Sequence, residues 1–221
     1  MLQRIRVWDL PVRLFHWSLA ACVMGLVITA QLGQMQWHFR LGYCVLVLLL
    51  FRLVWGLVGG YWSRFGRFLY SPATLWRYLR GAADPVLDAG HSPLGALSVF
   101  SMLLVLLLQV ATGLVSDDEI ASSGPYAALV PGTWVSLATQ YHREIGKPVL
   151  ILLVLLHVAA ILFYLWRRRR NLIRPMLDGD KLVDTGLPPS RDDAQSRLFA
   201  LLIFGLCSAG VAGLLQLAPG A

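Results

Sequence analysis

The stretch YHREIGKPVLILLVLLHVAAILFYLWRRRR, Tyr141–Arg170, decides how this chain is read. No charged residue stands between Lys147 and Arg167, and about 20 apolar residues suffice for a helix to cross roughly 30 Å of hydrocarbon. Four arginines stop the run. Inside it is His157, an imidazole that lipid cannot hydrogen-bond, and an ionisable side chain at such a depth points to function. His142 lies 15 residues earlier, which in an ideal helix is about 22 Å along the axis and about 60° around it. Both rings can therefore face the same interior, one near each side of a membrane.

The rest of the chain has the same texture. Of its 221 residues 57% are hydrophobic and 14% charged, a balance far from that of a globular domain in water. A first crossing is expected from about Pro11 to Leu32, a second from Trp37 to Val58, a third from Pro93 to Val115 and the fourth from His142 to Trp166. A fifth apolar run, Leu198 to Leu217, follows a polar segment with Pro175, Pro188 and Pro189. The expected fold is all-α: an integral membrane four-helix domain over 1–170, an extramembrane linker over 171–197 and a further transmembrane helix in 198–221. Trp8, Trp17, Trp37, Trp62, Trp134 and Trp166 fall near the boundaries, where interfacial aromatic belts form.

Basic residues set the orientation. Arg4, Arg6 and Arg13 precede the first crossing, Arg64, Arg67, Arg77 and Arg80 separate the second from the third, and Arg167–Arg170 follow the fourth. The positive-inside rule places all three groups, and the amino terminus, in the cytoplasm. The opposite side carries Asp117, Asp118 and Glu119, and a fifth crossing puts the carboxyl terminus there too. The net charge of +7 thus belongs to helix ends and anionic lipid, not to nucleic acid. Cys22, Cys44 and Cys207 lie in apolar runs without a C-x-x-C-H motif, so neither a covalent haem nor a disulfide is expected. The first apolar run reads as a retained helix, since no small-residue cleavage site clearly follows it.

All five histidines lie in or beside the first four crossings. His38 is level with His142 on the outer side, and His16 shares the inner side with His157. Each pair can hold one haem iron through two neutral imidazoles and leave no open coordination position, an arrangement suited to electron transfer. Gly42 and Gly146 come four residues after His38 and His142 and leave room on the same face for a flat macrocycle. Arg52 and Arg40 suit an inner and an outer haem propionate, although Arg52 also reads as a side chain snorkelling to the cytoplasmic surface. His91 reads as an interhelical hydrogen-bonding residue.

The stretches VWDLPVRLFHW, HFRLGY with RLVWGLVGG, HSPLGALSVFSMLLVLLLQVATGL and YHREIGKPVLILLVLLHVAAILFY resemble, in order, the bacterial cytochrome b561 family and the b-type cytochrome subunits of nickel-iron hydrogenases. The likeness covers nearly all of Val7–Arg170. It implies a four-helix bundle in the bacterial inner membrane with two non-covalent, bis-histidine haem b groups. By the same likeness His16 and His157 hold the inner haem, and His38 and His142 the outer one. It further implies electron transfer between the quinone pool and a redox protein, either a c-type cytochrome or a dehydrogenase or hydrogenase subunit. The family's usual tryptophan before the helix-four histidine is Tyr141 here, and the fifth run lies beyond the four-helix core. His91, able to exchange a proton, is a candidate at a quinone site. Membrane lipid is a partner in any case, and self-association is compatible with this reading. The competing functions are a self-contained superoxide:quinone oxidoreductase and a haem-free membrane transporter or anchor.

Overall fold

The computed structural model describes residues 2–81, 87, 89–118, 120, 122–184 and 186–219. In chain order the elements are strand β1 (Leu2–Arg6), helix α1 (Leu10–Gln31), α2 (Met35–Val58), α3 (Pro72–Leu79), α4 (Pro93–Gly113), α5 (Gly132–Trp166), α6 (Ile173–Asp178), β2 (Asp180–Asp184) and α7 (Ala194–Gln216). Helices α1, α2, α4, α5 and α7 are each long and apolar enough to cross a membrane. The protein is accordingly an all-α, multi-pass membrane protein.

Local chemistry explains the ends. The Asp9 carboxylate accepts the Val12 amide at 2.9 Å and caps α1, with Pro11 in the first turn, where its missing N–H is no loss. Gly33, at φ +66°, ends α1, and the Gln34 amide returns to the Thr29 carbonyl at 2.9 Å. A glycine is suited to this left-handed position because it has no Cβ. Ser71 and Ser92 cap α3 and α4, each with proline next, and Asp193 caps α7.

Three expectations need correction. The helix of the fourth crossing begins at Gly132, ten residues before His142, because GTWVSLATQ is polar enough to hide in a hydropathy reading and its one glycine stands at the first position, where it interrupts nothing. The fifth begins at Ala194, not Leu198, since the polar turn after Asp193 is already helical. Trp8 and Trp62 do not join an interfacial belt: both are buried, Trp8 against the His91 ring at 4.6 Å and Trp62 with its indole N–H on the Pro188 carbonyl at 2.9 Å. Within the stretch expected as a linker, β2 pairs antiparallel with β1, Arg4 opposite Leu182.

The chain forms two compact units. The first comprises residues 1–16, 52–101 and 156–203, with Val7, Asp9, Trp55, Ser63 and Phe68 fully buried. The second comprises residues 17–51, 102–155 and 204–221, its core built on Val45, Leu48, Leu49, Leu103 and Leu106. The outward faces of the long helices are leucine-rich and exposed, as lipid contact requires.

Candidate cofactor sites

The second unit brings His38, in the first turn of α2, to His142 on α5, their ring centroids 6.2 Å apart and the rings 82° to one another. His142 lies in a π-helical turn, Tyr141–Gly146. Such wide turns recur at functional sites, and their phase differs from that of an ideal helical wheel. The Nδ1 of His38 is 3.1 Å from the Leu26 carbonyl, and that of His142 is 2.9 Å from the Gln109 carbonyl. A carbonyl can only accept, so each Nδ1 carries the proton and each Nε2 keeps its lone pair. Bonds of this kind fix the tautomer and ring orientation of a metal ligand. Gln109 completes the lock by donating its side-chain amide to the His142 carbonyl at 2.8 Å.

A cavity of about 350 Å³ opens beside these rings, lined among others by His38, Gly42, Gln109, Gly113 and His142. A Cβ added at Gly42 meets nothing within 4 Å, whereas one at Gly113 would stand 2.9 Å from Cε1 of His142. At Gly146 the room is already taken by the side-chain amide of Gln109. Arg40 is exposed and stacks on Trp37 at 5.1 Å. The basic residues along the cavity are Arg143 and Lys147, and its acidic ones are Asp117 and Asp118. Glu119 lies outside the described residues.

The first unit brings His16 of α1 to His157 of α5, ring centroids 6.4 Å apart at 52°. Two metal–imidazole bonds of about 2 Å, with the step from nitrogen to ring centre added on each side, come to roughly 6 Å. Both pairs therefore fit a metal held between two imidazoles. A pair supplies two ligands only, so a metal there would need its remaining ligands from a group such as a macrocycle.

Around the first-unit pair the environment is aromatic and charged. Arg52 is 3% exposed and does not snorkel; its guanidinium lies 4.6 Å over the Phe65 ring. Among the described residues its Nη1 is buried without a hydrogen-bond partner, a costly state that an anionic group of a ligand would relieve. His91 joins neither pair. Its ring stands between Trp8 and Phe68, 4.6 and 4.3 Å away, and its buried Nδ1 has no hydrogen-bond partner among the described residues. Burial first, then the charges of Arg52 and Lys181, push His91 down to about 3, so it is a neutral imidazole at neutral pH. Asp9 accepts from Ser63 Oγ at 2.6 Å and from the Trp55 indole at 3.3 Å. Burial raises its carboxyl above the ordinary value against the pull of those bonds.

Gln109 and Gly113 escaped the sequence reading. Their spacing puts both on one face of α4, but nothing local marks them as neighbours of an imidazole on another helix.

The fold and these sites define a multi-pass membrane protein whose buried imidazoles are paired across helices. The model of the prokaryotic cytochrome b561 family matches residues 7–179, and the chain belongs to that family. The family is one of b-type cytochromes. Among similar proteins is the probable Ni/Fe-hydrogenase 1 B-type cytochrome subunit of Escherichia coli K12, 27% identical over 161 residues, 58% of this chain and 66% of the relative. The chain thus spans just under two thirds of that relative's length. The probable Ni/Fe-hydrogenase B-type cytochrome subunit of Rhizobium leguminosarum is 24% identical over 217 residues, 81% of this chain and 90% of the relative. That of Azotobacter vinelandii is 24% identical, with 83% and 91% covered. No solved structure matches the chain.

Proposed function

We propose that this protein carries electrons across the bacterial inner membrane between quinone and a redox partner through two haem b groups, one between His16 and His157, the other between His38 and His142. The observation that carries this reading is the pair of ring separations, 6.4 and 6.2 Å. When bound, a haem supplies a one-electron couple. The protein's residues do the rest. Leu26 and Gln109 hold the Nδ1 protons of His38 and His142, which would leave each Nε2 lone pair free for the metal. Arg52 offers a buried guanidinium to a propionate. Gly42 leaves the flat face of a ring unobstructed.

Sixteen of the 19 Lys and Arg residues lie in the first unit, the exceptions being Arg40, Arg143 and Lys147. This favours an amino terminus in the cytoplasm. The relatives' names favour a hydrogenase subunit as the redox partner. Haem counting tests the reading: a pyridine haemochrome assay on purified protein should give about two haems per chain, and one or none would overturn it.

A further inference from the structure

The family match ends at residue 179, yet the chain beyond it is built around the start of α1. Beyond the β1–β2 pairing, the Ser190 amide donates to the Arg6 carbonyl at 2.7 Å and its hydroxyl to the Val7 carbonyl at 2.9 Å. The same hydroxyl oxygen accepts the Trp62 amide at 3.2 Å. Asp192 is the hub. Its side chain is 5% exposed; Oδ1 accepts the Leu10 amide at 3.1 Å and Nε of Arg197 at 3.0 Å. Oδ2 faces Arg6 at 3.6 Å and Arg13 at 3.9 Å.

Leu10 is the first residue of α1, and the first amides of a helix have no partner within it. Asp9 satisfies the Val12 amide from within the helix's own sequence, and Asp192 satisfies the Leu10 amide from more than 180 residues away. A carboxylate at a helix amino terminus also complements the helix dipole. His16 stands six residues further along, fewer than two turns.

We propose that Pro188–Asp193 is a clamp on the amino end of α1 and that Asp192 is a positioning residue for His16. The tail beyond the family core thereby holds rigid the helix that presents one imidazole of the first-unit pair. The consequence for a metal centre rests on the reading of His16 as a ligand, whereas the clamp itself does not.

The test compares D192A, D192N and D192E with H16A and H38A in the full-length protein. Hydrogen exchange of the amides in residues 10–16 should quicken about tenfold in D192A, less in D192N, and return towards the parent in D192E. Amides at the start of α2, residues 35–42, should not change. Potentiometric titration should show a shifted potential for the component that H16A abolishes and an unchanged one for the component that H38A abolishes. Unchanged exchange in D192A and D192N overturns the clamp, as does equal acceleration at both helix starts. Faster exchange with an unmoved H16A-sensitive potential overturns the positioning role. If H16A abolishes no component, the ligand reading fails, and the exchange rates alone decide the clamp.

Discussion

The two imidazole pairs have nearly the same ring separation, 6.2 and 6.4 Å, but different surroundings. His38 and His142 are oriented by backbone carbonyls and border an open cavity with acidic and basic residues along it. Around His16 and His157 the unit is filled by Trp8, Phe65, Phe68, Phe100 and an enclosed guanidinium. Hydrogen bonds at Nδ1 make the ligand nitrogen more basic, while a buried positive charge favours the reduced, less positive state of a nearby metal. If each pair holds a haem as proposed, the two centres have separate means of setting their potentials.

The largest expected effect separates the pairs completely. His157→Ala and His142→Ala should each lose one of two haems, about half the haemochrome absorbance, and leave the other spectral component in place. Loss of both components in either variant would mean that the pairs are not independent.

Next in size is the contrast between two arginines. Arg52→Ala removes a buried charge and should weaken haem retention in the His16–His157 centre by about 2 kcal/mol, roughly thirtyfold, read as haem transfer to excess apomyoglobin. Arg40→Ala, at an exposed side chain stacked on Trp37, should change neither centre.

A smaller effect sharpens the view of the cavity side. Gly113→Ala places a methyl group 2.9 Å from the His142 ring and should cost about 1–3 kcal/mol, with a shifted spectrum for the His38–His142 component only. Gly146→Ala meets the Gln109 amide and the Tyr141 ring, so it should displace the Gln109 bond to the His142 carbonyl and disturb the same component. Gly42→Ala should fit a truly empty space but crowd a bound macrocycle, so a loss of haem with no loss of apoprotein stability is expected there.

The smallest effects are pH-dependent and of opposite sign in two carboxylates. Burial works to raise Asp192, but the bonds from Arg197 and the Leu10 amide, with the charges of Arg197 and Arg6, hold it below the ordinary carboxylate range. Its contribution to stability is therefore complete above its unfolded value of about 4 and is lost as pH falls through the lowered folded value. Asp9 is raised, so its ionisation opposes folding from about pH 4 upward through its folded value. Acid unfolding followed by circular dichroism should lose part of its steepness below about pH 4 in D192N. D9N should be less destabilised at neutral pH than D9A, because its amide still reaches Ser63 and Val12 without a buried charge. Identical acid profiles for D192N and the parent would contradict the assignment.

Much of the fold is legible in the chain because crossing a membrane demands an apolar composition averaged over some 20 residues, which no single misleading position can hide. Depth along the helices sets His38 level with His142, and it puts His16 on the same side as His157 less closely, since His157 stands ten residues from Arg167 and His16 three from Arg13. Helix starts fared worse. Gly132 and Ala194 open helices in polar sequence, where hydropathy is silent, and the π turn at Tyr141–Gly146 depends on how α5 meets its neighbours.

Composition and the spacing of histidines thus indicated, on their own, a membrane protein of four or five crossings and which imidazoles could meet, because each follows from the bilayer's thickness or a helix's rise. Only the tertiary structure decided that Gln109 locks His142, that Arg52 is enclosed while Arg40 is exposed, and that Asp192 closes the first turn of α1. The Arg52–Phe65, Gln109–His142 and Asp192–Leu10 contacts join residues 13 to 182 positions apart, and a pattern read along the chain does not report which distant groups share a space.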